Sequence, residues 1–143
     1  CNIRLPLEQR RNQFLDLWVE FQHFYVRKLM LAKYSFAFVA LPGGFGTLDE
    51  LFEVATLVQT DKIQRFPIIL MGISYWSPLV KFMQETLVAQ ETISQQDLDR
   101  ILVTDSIEEV ATVISQSAVK DFGLYYGKET RRKWYLFEKR KRI

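Results

Sequence analysis

The sequence predicts an α/β fold built on a parallel sheet with flanking helices. Short apolar runs alternate along the chain with longer segments of helical periodicity, which is the order of repeated strand-helix-strand units. At 143 residues the chain has the size of one domain, and its 48% hydrophobic content is enough for a buried core. These numbers exclude an intrinsically disordered chain and a disulfide-dense small scaffold.

The first part of the chain is predicted to contain two strands and one helix. Residues 2–7 and 17–21 fit strands, and the polar stretch between them favours a loop. Apolar spacing typical of a helix begins near His23, and Arg27 and Lys28 lie on the polar face of that helix. The chain starts without methionine inside the first predicted strand, so we expect an N-terminal truncation.

The middle of the chain gives the clearest pattern. Residues 36–41 form a continuous apolar run, Phe-Ala-Phe-Val-Ala-Leu, of the kind found in strands buried on both faces. The run ends at Pro42, two glycines follow, and apolar residues at helical spacing then predict a helix to about Thr60. A buried strand therefore leads through a glycine-rich turn into an amphipathic helix.

The rest of the chain continues the alternation of strands and helices. Ser77 and Pro78 predict a helix start, with an N-cap serine and a first-turn proline, and this helix is expected to reach about Gln90. Ser106 opens a capping-box sequence and predicts a last helix to about Ser117. Two further strands are predicted at residues 67–71 and 101–103.

The tail, residues 121–143, is basic and aromatic. The net charge of the whole chain is only +2, but residues 124–143 carry eight basic and two acidic side chains. Such a mixture occurs at nucleic-acid and anionic-membrane contacts, and also on solvated terminal helices, which is the interpretation we favour. We therefore predict one domain over residues 1–120 and a helical tail, with nucleic acid an unlikely partner.

Several common classes of site are not supported by the composition. Cys1 is the only cysteine, so no internal disulfide can form and a reducing, cytoplasmic setting is expected. His23 is the only histidine, which argues against a histidine metal site or a Ser-His-Asp triad. The longest apolar runs, such as residues 66–73, are far shorter than the roughly 20 residues of a spanning helix. We predict no metal, no cofactor and no membrane partner.

The glycine-rich turn predicts an anion site. Where a strand meets a helix through glycines, unpaired backbone N–H groups and the positive end of the helix dipole face outward. Gly43, Gly44 and Gly46 permit positive φ and let a phosphate approach the backbone, and the Thr47 hydroxyl adds a donor. The spacing matches neither a Walker A loop nor the dinucleotide fingerprint. A tight connection without a ligand is the structural alternative.

Glu50 also has two interpretations. Thr47 and Glu50 fit a Thr-x-x-Glu capping box, in which the glutamate closes the helix N-terminus and adds about 1 kcal/mol of stability. Asp49, Glu50 and Glu53 nevertheless concentrate negative charge beside a predicted phosphate site. That arrangement is explained if one carboxylate faces a positive charge that develops on the same ligand, such as a sugar carbon losing its base.

Two motifs of this sequence resemble those of the LONELY GUY (LOG) family. They are Arg27-Lys28, and Pro-Gly-Gly-Phe-Gly-Thr-Leu-Asp-Glu over residues 42–50, in family order and at family-like separation. The resemblance extends to about Ser117. It implies a Rossmann-like homodimer or higher oligomer without a redox cofactor, which cleaves the N-glycosidic bond of nucleoside 5′-monophosphates, including cytokinin nucleotides, to free base and ribose 5-phosphate. An older label for the family is lysine decarboxylase, but we find no recognisable pyridoxal-phosphate lysine environment.

The resemblance also implies roles for individual residues. Gly43, Gly44, Gly46 and Thr47 would hold the 5′-phosphate, while Arg27 and Glu50 occupy the catalytic positions. A carboxylate at position 50 fits glycoside cleavage, because it can stabilise an oxocarbenium-like state and activate water. Arg27 would orient phosphate or ribose oxygens; without the resemblance it reads as a surface arginine. Lys28 and Glu53 are possible substrate contacts, although a solvated acid is an equal interpretation of Glu53.

The sequence departs from the family pattern in one respect. Family members carry an upstream half-domain with the first strands and another glycine-rich segment, and residues 1–120 correspond only to the C-terminal portion of the nucleotide-binding domain. The leading hypothesis is hydrolysis of AMP or an N6-substituted AMP. The alternative is a carrier that binds a nucleotide or phosphorylated cofactor through the same turn without cleaving it.

Overall fold

The computed structural model describes residues 1–4, 11, 13–64 and 66–123. Helices flank short strands throughout the described part of the chain. The strands are β1 (Asn2–Ile3), β2 (Glu20–Phe21), β3 (Phe38–Ala40), β4 (Ile68–Met71) and β5 (Ile101–Thr104). The helices are α1 (Phe24–Lys33), α2 (Phe45–Gln59), α3 (Ile73–Phe82), α4 (Gln95–Asp99) and α5 (Ile107–Lys120), and a π-helical stretch, Met83–Val88, continues α3.

All strand pairs in the described part of the chain are parallel, which confirms the predicted fold class. β3, β4 and β5 form one sheet in that order, with Ala40 opposite Leu70 and Leu70 opposite Val103. β1 and β2 form a separate parallel pair. The structure is thus a partial Rossmann-like fold. Because the three strands of the larger sheet run the same way, the segments after them all emerge at one edge.

The main core lies between α2 and the three-stranded sheet. Apolar residues of α2 recur at helical spacing and pack on the residues of β3 and β4 that point to the same face. Burial of this surface explains why a helix forms here although it opens with glycine. The most deeply buried members of this core are Ala40, Leu51, Phe66, Ile68, Leu70 and Trp76.

The start of α2 differs from the capping-box interpretation. Gly44 is the N-cap residue, with φ −91° and ψ −152°, and the helix begins at Phe45. Thr47 is therefore already the third helical residue, and its own amide donates to the Gly44 carbonyl at 3.1 Å. The Thr47-Glu50 capping box is wrong because the glycines themselves supply the N-cap and the first turn.

The start of α3 also differs from the prediction. Gly72 is the N-cap, in a left-handed conformation with φ 115°, so Ser77 is not the cap and Pro78 lies inside the helix. The Ser77 hydroxyl donates instead to the carbonyl of Ile73, one turn back, at 2.6 Å. Pro78 has no backbone N–H to donate to the carbonyl of Ser74, one turn earlier. Ser74 is exposed, so water can satisfy its carbonyl and the helix continues through the proline.

The segment after α3 is more irregular than the single helix to Gln90 that the sequence predicts. α3 ends at Phe82, and the π-helical stretch takes the chain to Val88. The short helix α4 was not predicted, although Ser94 and Asp97 form a complete capping box at its start. Its signal, a serine followed three residues later by an acid, is present in the sequence.

The last described helix begins as predicted and ends three residues later than expected. Ser106 is the N-cap of α5, and its hydroxyl accepts from the Glu109 amide at 3.2 Å. The Glu109 carboxylate accepts from the Thr104 hydroxyl. After α5, Phe122 packs on the main core and meets the Phe36 ring at a centroid distance of 5.2 Å. The predicted helical tail falls outside the described residues from position 124 onward.

Candidate functional site

The central feature of the structure is a cleft between α1, β3 and the first turns of α2. Its volume is about 410 Å³. Its lining is mixed: α1 and α2 contribute charged side chains, and apolar residues come from α1, α2 and the β3 segment. Five of the predicted site residues line it, namely Arg27, Lys28, Thr47, Glu50 and Glu53. These five residues of α1 and α2 are therefore brought together in one concave site, where small ligands commonly bind. The three predicted glycines are not among the lining residues.

Arg27 and Glu50 form an ion pair across the cleft. The Arg27 Nη1 donates to the Glu50 Oε1, and the two side chains are only 19% and 22% exposed. The Arg27 Nε also donates to the Cys1 carbonyl at 3.0 Å, which ties α1 to the start of the chain. Burial lowers the pKa of the Arg27 guanidinium from its ordinary value, yet it remains charged at any physiological pH.

Lys28 connects α1 to the neighbouring turns of α2. Its ammonium lies 3.2 Å from the Asp49 carboxylate and 3.1 Å from the Glu53 carboxylate. Hydrogen bonds, first to Glu53 and then to Asp49, raise the pKa of Lys28 above its ordinary value. The positive charge of Lys28 thus lies between Asp49 and Glu53, the two acids that flank Glu50 in sequence. Glu53 is therefore an ion-paired residue of the cleft lining and not a carboxylate alone in solvent.

The predicted phosphate-binding residues lie together at the N-terminus of α2. Gly44 and Gly46 have open space where a side chain would begin, whereas a Cβ on Gly43 would collide with the Thr47 side chain. None of these three glycines adopts a positive φ, so that part of the prediction is wrong. The absence of side chains matters sterically here. At Gly43 it avoids a clash with Thr47, and at Gly44 and Gly46 it leaves the backbone of the turn accessible.

Two residues that support this turn were missed in the sequence. The Tyr75 hydroxyl of α3 donates to the Gly43 carbonyl at 2.5 Å. The Asp105 carboxylate, which follows β5, accepts from the amide of Ile73 at 2.8 Å and so satisfies the start of α3. Their signal in the sequence is position, since each follows the carboxyl end of a strand in a parallel sheet.

The arrangement supports two kinds of chemistry. The first amides of α2 have no acceptor one turn earlier in the helix, so the N-terminus of α2 favours a bound anion. The Glu50 carboxylate beside it is a candidate for holding water or stabilising positive charge, and Arg27 orients that carboxylate. The described residues contain no group of three or more His, Cys, Asp or Glu side chains placed to bind a metal ion. No helix among them is long and apolar enough to cross a membrane.

Comparison with known proteins identifies the family. A family model described as possible lysine decarboxylase matches residues 1–114, which is most of the chain. The chain belongs to this family, the LOG family. The match includes α1, the glycine turn and α2, so the elements that line the cleft are family elements.

Plant relatives in the LOG family carry a more specific name. A cytokinin riboside 5′-monophosphate phosphoribohydrolase of Oryza sativa subsp. japonica is 35% identical over 79 residues, which are 54% of this chain and 31% of that protein. A protein of the same name from Arabidopsis thaliana is 44% identical over 62 residues, 43% of this chain and 29% of the relative. The chain thus matches about a third of the length of these relatives.

Proposed function

We propose that the protein hydrolyses the N-glycosidic bond of a nucleoside 5′-monophosphate and releases the free base and ribose 5-phosphate. The observation that carries this proposal is the position of Glu50. Its carboxylate lies in the cleft, mostly shielded from solvent and paired with Arg27, next to the N-terminus of α2. An anion site alone requires the backbone of the turn, but not an acid beside it. The names of the plant relatives agree with this reaction.

The residues of the cleft have separate roles in the proposed reaction. Gly43, Gly44, Gly46 and Thr47 bind the 5′-phosphate through backbone amides and the threonine hydroxyl, which fixes the ribose relative to α2. Water adds to the anomeric carbon while the electrons of the C–N bond leave with the base. Glu50 accepts the proton from water, and that proton ends on the departing base. The carboxylate also stabilises the oxocarbenium-like character of the sugar.

Arg27 and Lys28 maintain Glu50 in its reactive form. Arg27 engages Glu50 Oε1, and a carboxylate has lone pairs on both oxygens, so the second oxygen is available to water. Lys28 compensates Asp49 and Glu53, which would otherwise repel the incoming phosphate. In this proposal Lys28 and Glu53 act mainly on the electrostatics of the site.

The proposed substrate is AMP or an N6-substituted AMP.

The proposal is tested by assaying release of ribose 5-phosphate from a panel of nucleoside 5′-monophosphates and from adenosine. The assay uses the full-length protein encoded by the gene, because this chain matches only about a third of the length of its relatives. Glu50→Gln is expected to lower kcat by about 100-fold or more, since it removes a general base while keeping the shape. Glu85→Gln, at an exposed position outside the cleft, is the control and is expected to retain most activity.

Two outcomes would contradict the proposal. Release of the base from adenosine as fast as from AMP would show that the glycine turn does not anchor the substrate. Binding of nucleotides without any release of sugar phosphate would favour the carrier function in place of hydrolysis.

We also expect a homodimer or higher oligomer in the cytoplasm. Light scattering tests the oligomeric state, and cell fractionation tests the location.

A further inference from the structure

Tyr75 is the side chain outside the cleft with the most direct connection to the proposed phosphate site. It belongs to the first turn of α3, and its hydroxyl donates to the Gly43 carbonyl at 2.5 Å. The partner is a main-chain atom of the glycine turn, thirty-two residues earlier in the sequence. The contact therefore joins the segment after β4 to the segment after β3 at one edge of the sheet.

The position of Tyr75 is itself well determined. Its ring packs edge-on against Trp76 at a centroid distance of 5.0 Å, and Trp76 is almost completely buried. Its amide donates to the Gly72 carbonyl at 3.1 Å, and Asp105 satisfies the amide of Ile73 in the same turn. The hydroxyl thus projects from a fixed helical turn, although the ring remains half exposed.

The geometry of a peptide bond gives this contact a consequence. In a trans peptide the carbonyl of one residue and the amide of the next point in opposite directions. The described chain contains no cis peptide, so the Gly44 amide points away from the carbonyl that Tyr75 holds. A single hydrogen bond on the carbonyl side therefore orients an N–H donor on the opposite side of the turn.

Gly43 is also restricted from its other side. A Cβ at this position would overlap the Thr47 side chain, so the backbone already lies against the hydroxyl-bearing residue of α2. The turn is consequently held between Tyr75 on α3 and Thr47 on α2. Orientation matters at such a site, because an amide that points correctly before the ligand arrives loses little entropy on binding.

We propose that Tyr75 is a positioning residue for phosphate binding, which acts by fixing the Gly43–Gly44 peptide so that the Gly44 amide faces the 5′-phosphate. The inference rests on the proposed function, since it assigns the glycine turn to a phosphate. It adds a residue from a third element to the site. Tyr75 does not touch the substrate; its effect passes entirely through the main chain of the turn.

The experiment compares the full-length protein with Tyr75→Phe, which removes the hydroxyl and keeps the packing on Trp76. Binding of ribose 5-phosphate and of inorganic phosphate is measured by calorimetry, independently of catalysis. The dissociation constant for each is expected to rise about three- to tenfold, in line with the loss of one hydrogen bond. For AMP hydrolysis, KM is expected to rise by a similar factor while kcat changes less than twofold. Tyr34→Phe, which alters an exposed tyrosine at the C-terminal end of α1, is the control and is expected to change neither quantity.

The possible results separate this inference from the proposed function. Unchanged affinity of Tyr75→Phe for ribose 5-phosphate would overturn the role of Tyr75, whether or not the enzyme is active. A drop of several degrees in the melting temperature with parallel loss of adenosine binding would also overturn it, since that pattern indicates a general packing role. If the wild type binds phosphates but releases no base, hydrolysis fails and the binding comparison still tests Tyr75. If the wild type binds neither ligand, both proposals are wrong.

Discussion

Arg27 of α1 and Glu50 of α2 form an ion pair across the cleft although twenty-three positions separate them in the sequence. Each side chain is largely shielded from solvent, so neither charge can be removed without leaving the other poorly compensated. The pair also joins two helices that β3 separates in the sequence, and the ion pairs of Lys28 join the same two helices. Its electrostatic and structural contributions can be separated by the choice of substitution.

Replacement of Arg27 by lysine is expected to lower kcat/KM for AMP about 10- to 100-fold. A lysine keeps the charge but has no fork, so one ammonium cannot bond both the Glu50 carboxylate and the Cys1 carbonyl in the same geometry. Arg27→Met should in addition lower the free energy of unfolding by about 1–3 kcal/mol, because it leaves a shielded carboxylate without its partner.

Steady-state kinetics and denaturant unfolding check both variants. Arg4→Lys is the matched control, since Arg4 pairs with Glu20 at an exposed site, 3.8 Å away. Exposed pairs contribute little, so a change below about 0.5 kcal/mol is expected there. Equal losses of activity and of unfolding free energy in the Arg4 and Arg27 variants would contradict a special role for the Arg27–Glu50 pair.

The stability that Lys28 contributes is expected to depend on pH at the alkaline end. Hydrogen bonds to Glu53 and Asp49 raise the pKa of Lys28 in the folded state, so the folded protein retains this proton more strongly than the unfolded chain. The contribution is complete below the unfolded pKa and is lost as pH rises through the higher folded one. Wild type should therefore be more stable than Lys28→Met near neutral pH, with the difference shrinking above about pH 10.5.

Urea unfolding at a series of pH values from 7 to 11 measures this difference, and urea leaves the charges unscreened. Lys33→Met serves as the control on the same helix, because the Lys33 ammonium lies over the Tyr34 ring and not between two carboxylates. A difference between wild type and Lys28→Met that stays constant to pH 11 would show that the methylene stem, and not the charge, stabilises the contact between the helices.

Alanine at Gly46 is expected to change stability and binding in opposite directions. The position has free space for a methyl group and a helical backbone, so Gly46→Ala should raise the free energy of unfolding by about 0.5 kcal/mol. The same methyl group narrows the approach of a phosphate to the start of α2, and affinity for ribose 5-phosphate should fall about tenfold or more. Gly43→Ala should lower both the free energy of unfolding and the affinity for ribose 5-phosphate, because its methyl group would clash with Thr47. Calorimetry and thermal unfolding of the two variants distinguish the cases, and unchanged binding in Gly46→Ala would place the ligand elsewhere.

Asp97 is expected to stabilise the fold in neutral solution but not in acid. Burial opposes ionisation of its carboxyl, yet hydrogen bonds from Gln59 and Ser94, and the charge of Arg100, hold the pKa of Asp97 below its ordinary value. Its contribution is therefore present above the unfolded pKa and is lost as pH falls through the lower folded one. Wild type should exceed Asp97→Ala in stability at pH 7, and the difference should shrink below about pH 4. Unfolding curves between pH 2.5 and 7 test this, with Asp99→Ala of the same helix as the control.

The sequence allowed good prediction of the elements whose signals are local and strong. The run over residues 36–41 and the glycines after it predicted β3 and the turn correctly. Burial of β3 on both faces was wrong in the described structure, because β3 is an edge strand and Val39 is 37% exposed. The start of α5 was predicted because Ser106 caps it directly. The family resemblance assigned Arg27 and Glu50 to one site, but the ion pair between them was not predicted, since nothing local links two helices that are distant in the sequence.

The sequence did not predict where a helix starts when two nearby segments both offer suitable residues. Ser77 and Pro78 have the right chemistry for a helix start, but Gly72 and Asp105 begin α3 one turn earlier. The choice depends on a carboxylate from another strand, which no local pattern contains. The role of Tyr75 is hidden for the same reason, because its partner is a carbonyl, and every residue in a chain has one.

The Asp105 carboxylate extends the support of the site to the segment between β5 and α5, which does not line the cleft. It satisfies the first amide of α3, α3 carries Tyr75, and Tyr75 holds the Gly43 carbonyl. Substitutions in the segment between β5 and α5 can therefore alter ligand affinity while leaving every cleft residue in place. If Tyr75 positions the glycine turn as proposed, natural variation at Asp105 is expected to change ligand affinity through α3, although Asp105 does not line the cleft.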